Sequence, residues 1–148
     1  MTHIEHTVTI ARPVEDVWAY VMDTRNDPKW MTNVIEVGRG ADQPVELGLQ
    51  IEETVKFYGV RLKVVLTITE HEPPTRSAIV VRGPRGVGGT GFYGLEEVDG
   101  ATRFTMATDT DSHGFFKLAE PVFARMARRD LGASAEHLKD LLETAGAP

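Results

Sequence analysis

Beyond about residue 120 the chain offers one long amphipathic helix, the only long helix available to cover everything that precedes it. Val122, Phe123, Met126, Ala127, Leu131, Leu138, Leu141 and Leu142 form an apolar stripe, with Arg125, Arg128, Arg129, Glu136, Lys139 and Asp140 on the other side. Pro121 suits a first helical position, so the spacing predicts a continuous helix over residues 121–143 after a turn over 115–120. Such a helix extends about 35 Å, the width of a domain this size. Gly132 costs about 1 kcal/mol in mid-helix and points to a close backbone approach or a bend.

What the helix must cover is a series of strands. Ile4, His6, Val8 and Ile10 alternate with Glu5, Thr7 and Thr9, which predicts a half-buried strand over residues 4–10. The period then changes: Pro13 opens a short helix whose Val14, Val17, Trp18 and Val21 share one face, ending near Asp23. Residues 24–29 read as a loop or single turn, and 34–37 as a short strand. Residues 49–57 and 60–69 read as two strands joined at Tyr58-Gly59, and 77–82 as another. Residues 92–98 and 102–108 flank Asp99-Gly100, the strongest hairpin turn in the chain. Each strand connection is short, so the sheet is expected to be antiparallel, with about six or seven strands. One helix cannot fill the concavity of such a curved sheet, and a cavity is the expected result.

Length and composition place this α+β chain among ordinary globular proteins. Its 148 residues suit one domain, and 41% hydrophobic with 26% charged residues argues against disorder. Sixteen Lys and Arg against 22 Asp and Glu leave a net charge of −6, so DNA is not an expected partner. The absence of Cys excludes thiol nucleophiles and Cys-based metal sites. No apolar run approaches membrane-span length, so no stable membrane insertion is expected. Met1-Thr2-His3-Ile4-Glu5-His6 lacks the features of a signal peptide, and a cytoplasmic location is expected.

The segment Ile10-Ala11-Arg12-Pro13-Val14-Glu15-Asp16-Val17-Trp18, with Asp23 and Pro28-Lys29-Trp30 after it, resembles the opening of the START-like, polyketide cyclase/dehydrase superfamily (SRPBCC), which includes the birch-pollen allergen relatives. Glu72-Pro73-Pro74, Asp99-Gly100-Ala101-Thr102-Arg103 and Leu138-Lys139-Asp140-Leu141-Leu142-Glu143 fit it as well, so the resemblance spans residues 1–148 as a single ligand-binding domain. It implies a helix-grip fold, a curved antiparallel sheet wrapped around the long C-terminal helix, with a deep pocket for hydrophobic ligands. The superfamily includes lipid and hormone carriers, aromatic polyketide cyclases and ribosome-associated growth inhibitors, and fold alone does not choose among them. The resemblance carries over no catalytic residue.

Two polar residues interrupt apolar strand faces: His6 among Ile4, Val8 and Ile10, and Glu53 among Ile51, Val55 and Phe57. Facing the cavity, they would orient a ligand's hydroxyl or carbonyl, or exchange a proton with it. Turned outward by register or a bulge, or met by a structural partner, they would do neither. Trp30 reads equally as a ligand-facing aromatic at the cavity mouth or as a plug beneath the short helix. Arg82 is either a partner for an acidic ligand group or a solvated strand end. Tyr93 can donate a phenolic hydrogen bond into the pocket, whereas Tyr58 reads as surface packing. Walls are expected from Phe57, Val64, Leu66, Phe104 and Met106 on the sheet and Phe123 and Met126 on the helix, while Trp18 reads as core.

Other motifs carry less. Gly86-Val87-Gly88-Gly89-Thr90-Gly91 matches a dinucleotide fingerprint in letters, but a strand rather than a helix follows it; a flexible rim loop, a candidate gate, is the better reading. Asp109-Thr110-Asp111-Ser112-His113-Gly114, with Glu120 beyond, approaches a calcium loop but puts His113 at a ligand position and lacks the entering helix. His71-Glu72-Pro73 cannot be a zinc-protease helix. No metal and no cofactor is expected. The sequence therefore points to a carrier or sensor of a hydrophobic or amphipathic small molecule, lipid or polyketide-like, acting as monomer or homodimer. A polyketide cyclase or dehydratase using His6 or Glu53 is the alternative, and a ribosome-associated protein docking through Arg125, Arg128 and Arg129 a second one.

Overall fold

Alternation does set the first strand. In the computed structural model, which describes residues 2–57, 59–110 and 120–145, β1 (Thr2–Ile10) buries Ile4, Val8 and Ile10 and exposes Glu5, Thr7 and Thr9. Pro13 caps rather than enters α1 (Val14–Met22), which buries Val14, Val17 and Val21. The Asp23 carboxylate accepts from the Arg25 backbone N–H and opens a single 3-10 turn, Thr24–Asn26. That turn runs directly into the one-turn helix α2 (Asp27–Trp30).

The remaining strands are β2 (Val34–Val37), β3 (Gln50–Phe57), β4 (Val60–Glu72), β5 (Arg76–Arg82), β6 (Gly88–Val98) and β7 (Ala101–Thr110), and α3 spans Glu120–Ala145. They form one seven-stranded sheet in the order β1-β7-β6-β5-β4-β3-β2, every neighbour antiparallel. The two edge strands, β1 and β2, are joined through α1 and α2. Register shifts between Ile68 and Glu70 on β4 and between Val34 and Glu36 on β2 help the sheet to curl. The result is a curled antiparallel half-barrel with α3 laid along it, a helix-grip fold. Asp99 and Gly100 both take positive φ, 52° and 82°, as a tight β6–β7 hairpin requires.

Most strands run longer than the sequence pattern indicates, β4 by three residues. The glycine-rich connection is the larger correction. Gly88, Gly89 and Gly91 are not a flexible rim loop but residues of β6, paired to β5 and β7. A Cβ on Gly89 would collide with the Asp109 carbonyl, and one on Gly88 would sit 2.8 Å from the Val81 carbonyl. Glycine is there because the sheet leaves no room for a side chain. Residues 111–119, which hold most of the calcium-like stretch and most of the turn expected before the long helix, lie outside the described residues.

The main core gathers Val8, Ile10, Val17, Val21, Trp30, Leu95, Phe104, Ala135, Leu138 and Leu142 from both ends of the chain. Trp18 packs against this core but remains half-buried, its ring 5.6 Å from that of His71. A second cluster, Ile51, Val64, Leu66 and Ile68 with Ala41, lines β3 and β4. The candidate site lies between the two.

Candidate functional site

A pocket of about 380 Å³ opens between the N-terminal half of α3, the α2 region and the concave face of the sheet. Its walls are mostly apolar. Ile51 and Val55 from β3, Val64, Leu66 and Ile68 from β4, and Ile79 and Val81 from β5 supply branched side chains. Met106 on β7 and Met31 after α2 add adaptable ones. Glycines at 89 and 91 keep the β6 part of the wall at backbone level, and Ala124 and Ala127 do the same on α3. Small residues on facing elements hold the space open.

Three polar groups converge in this apolar setting: Asp27, Glu53 and Tyr93. Glu53 follows the inward period of β3, between Val37 on β2 and Val64 on β4, and is 4% exposed. Asp27 stands in the first turn of α2 and is also 4% exposed. Burial pushes the Asp27 carboxyl well above the usual carboxylate range, and the neighbouring Glu53 and then Asp23 add to the effect. Burial raises Glu53 too, with Asp27 working against the rise. The two titrate as a pair, which retains a proton above the pH at which ordinary carboxyls lose theirs. The two carboxyls hydrogen-bond to each other and have no further side-chain partner among the described residues.

Tyr93 projects from β6 opposite Ser77 and Met106, deep in the protein but with part of its surface on the pocket. Burial pushes its phenol well above the ordinary range, and the two nearby carboxyls push it further. Among the described residues its hydroxyl donates only to Met31 Sδ, at 3.9 Å, a weak acceptor. Ser77, also on the wall, is satisfied by the Glu70 carbonyl.

The structure brings together Glu53, Val64, Leu66, Tyr93, Met106 and Met126 among the residues singled out from the sequence. It places others elsewhere. His6 lies under α3, where the Gly132 backbone passes over its ring, and faces Glu136 at 3.8 Å. It does not meet Glu53, and the carboxyl's partner is Asp27. Trp30 is 0% exposed and packs against Tyr93 and Phe104, with ring centroids at 6.0 and 6.1 Å, so it supports the pocket from behind. Phe104 is likewise behind the wall, 5.6 Å from Tyr93. Arg82 is exposed at the end of β5, outside this pocket. Phe57 and Phe123 belong to β3 and α3, but their side chains, like Tyr58, lie outside the described residues. Arg125, Arg128 and Arg129 lie on α3, away from the pocket wall.

Asp27 is the residue that sequence reading missed. An Asn-Asp-Pro run reads as turn chemistry, and nothing local shows that the turn is folded inward against β3. Among the described residues no group of three or more His, Asp or Glu is placed to hold a metal ion.

A helix gripped by a curled sheet, with an apolar pocket between them, defines the class: a START-like helix-grip protein. The sequence model of the polyketide cyclase/dehydrase and lipid transport family matches residues 1–143, and the chain belongs to that family. Solved structures agree in fold. The protein TTHA0849 from Thermus thermophilus superposes with a TM-score of 0.81 at 11% identity, covering 99% of this chain and 100% of that one. A START superfamily protein from Mycobacterium smegmatis gives 0.70 at 15% identity over 97% and 95% of the two chains. Ara h 8.0201 gives 0.66 at 11% identity over 97% and 98%. No curated protein matches the chain in sequence.

Proposed function

We propose that this protein binds a hydrophobic or amphipathic small molecule in the pocket beneath α3, as carrier or sensor. The observation that carries this reading is the pocket itself, about 380 Å³ of mostly apolar space with a few convergent polar groups. The family description, which includes lipid transport, supports it. The test is binding of the neutral dye Nile red, followed by fluorescence, to the protein and to its Ala127→Phe variant. Ala127 lines the pocket from α3, so a phenyl group there occupies the space. A saturable signal that falls at least tenfold in affinity in the variant, with the melting temperature retained, supports the reading. Equal binding by both proteins overturns it. Native mass spectrometry of freshly purified protein, with solvent extraction, then identifies any molecule carried from the cell.

The Asp27–Glu53 pair favours a second reading, a dehydratase-type enzyme. A carboxyl pair holding one proton can take a proton from a carbon beside a carbonyl while giving one to a departing hydroxyl. A carbon–carbon double bond forms, and water leaves with the donated proton. The check is incubation of the extracted compound with wild type, Glu53→Gln and Asp27→Asn, followed by mass spectrometry. Loss of water with wild type alone supports the enzyme, and an unchanged compound in all three removes it.

A further inference from the structure

Resting on the pocket reading above, we infer that the pocket selects ligands whose polar end is a neutral hydroxyl, and that Asp27, Glu53 and Tyr93 recognise it. Both carboxyls line the pocket, both are more than nine-tenths buried, and they hydrogen-bond to each other with no further partner among the described residues. One shared proton cannot satisfy four carboxyl oxygens, so the pair keeps acceptor capacity for a donor from the ligand. Tyr93 supplies the opposite need, because among the described residues its O–H is held only by the Met31 sulfur and gains from a stronger acceptor. A hydroxyl answers both demands, since it donates one hydrogen bond and accepts others.

Charge narrows the choice further. The ionisable groups on the pocket wall are Asp27, Glu53, Tyr93, Asp130 and Lys56, and Asp23 acts on Asp27 from the adjoining turn. Lys56 alternates away from Glu53 along β3 and is exposed. A carboxylate ligand would bring a second negative charge to a pair that, sharing one proton, already carries one, and would set its lone pairs against theirs. An alkylammonium ligand would meet the carboxyls but has no lone pair for Tyr93, and its charge would be stripped of water among aliphatic walls. A hydroxyl carries neither penalty.

The experiment is displacement of Nile red at pH 7.5 by three ten-carbon compounds, 1-decanol, decylamine and decanoate, from wild type, Glu53→Gln and Asp27→Asn. For wild type, 1-decanol is expected to displace the dye at a concentration at least tenfold below decanoate and several-fold below decylamine. In either variant the gap between decanol and decanoate narrows to threefold or less, because a neutral amide replaces a carboxyl and offers the carboxylate a donor. Both substitutions conserve volume, and melting temperatures establish that the variants are folded. Decanoate or decylamine binding as tightly as 1-decanol overturns the inference while leaving the pocket reading intact. A tenfold gap that persists in both variants also overturns it, since selection would then lie elsewhere. Failure of Nile red to bind at all overturns the pocket reading itself.

Discussion

The two halves of α3 do different work on the same sheet. Its C-terminal half closes down: Ser134, Ala135, Leu138 and Leu142 are buried against β1 and the helices α1 and α2. Its N-terminal half stands off, with Val122 59% and Met126 41% exposed and the pocket beneath. Hydrogen bonding follows the same division. The bonds that fasten α3 to other described elements begin at Ser134, which accepts from the Thr32 backbone N–H at 3.0 Å. They continue at the far end. Lys139 donates to the Thr9 carbonyl, Arg12 to the Leu142 carbonyl at 2.8 Å, and the Ala11 N–H to Glu143, also at 2.8 Å. One helix is a structural clamp at one end and a roof at the other: Leu138 and Leu142 fill the core in one half, while Ala124 and Ala127 leave space over the sheet in the other.

The largest expected effect breaks this comparison at the level of packing. Phe104→Ala, in the closed region and 0% exposed, is expected to cost about 3–5 kcal/mol in denaturant unfolding. Leu66→Ala, on the pocket wall, is expected to cost about 2 kcal/mol, the lower end for such a change, because one side of its environment is already open. Equal losses at the two sites would mean that the pocket wall is as tightly supported as the core.

Asp27→Asn sharpens the comparison with the opposite sign. The folded protein holds a proton on the carboxyl pair that the unfolded chain releases at ordinary carboxylate pH, from about 4 upward. Folded molecules therefore bind more protons than unfolded ones, and this pair removes stability as pH rises from that value toward its raised one. The variant is expected to be more stable at pH 7, with a flatter pH profile above about 4. Thermal melts from mildly acidic to mildly alkaline pH decide it, and a variant that is less stable at neutral pH would show that the pair holds the fold together.

The smallest effect concerns the junction between the two halves. A Cβ on Gly132 would lie 3.5 Å from the His6 ring, ordinary contact rather than collision. Gly132→Ala is thus expected to stabilise by about 0.5–1 kcal/mol through helix propensity alone. A destabilised variant would show that α3 needs glycine to pass over β1.

The strands, their antiparallel order, the Asp99-Gly100 turn and the gripping helix were legible before any coordinates, because alternation, helical spacing and turn chemistry are local properties. The glycine run misled for the same reason. Read locally, Gly88, Gly89 and Gly91 signal freedom, whereas in the sheet a neighbouring backbone excludes a Cβ at the first two and the Ile79 side chain crowds one at the third. Glu53 could be singled out as a polar residue on an apolar face, but its facing depended on register. Asp27 could not be paired with it, since 26 positions separate the two and only the inward fold of α2 brings them together.

The sequence by itself determined a helix-grip fold with one helix too few to fill its own sheet. Its periodicities decide which elements form and which faces are apolar, and family membership rests on the same local signatures. Only the tertiary structure decided where the empty space falls and which groups look into it. It set His6 beneath the closed half of α3, withdrew Trp30 and Phe104 behind the wall, and brought Asp27, Glu53 and Tyr93 to the pocket. Side-chain direction depends on how a curled sheet, a turn and a helix are oriented around one another, and no local pattern encodes that.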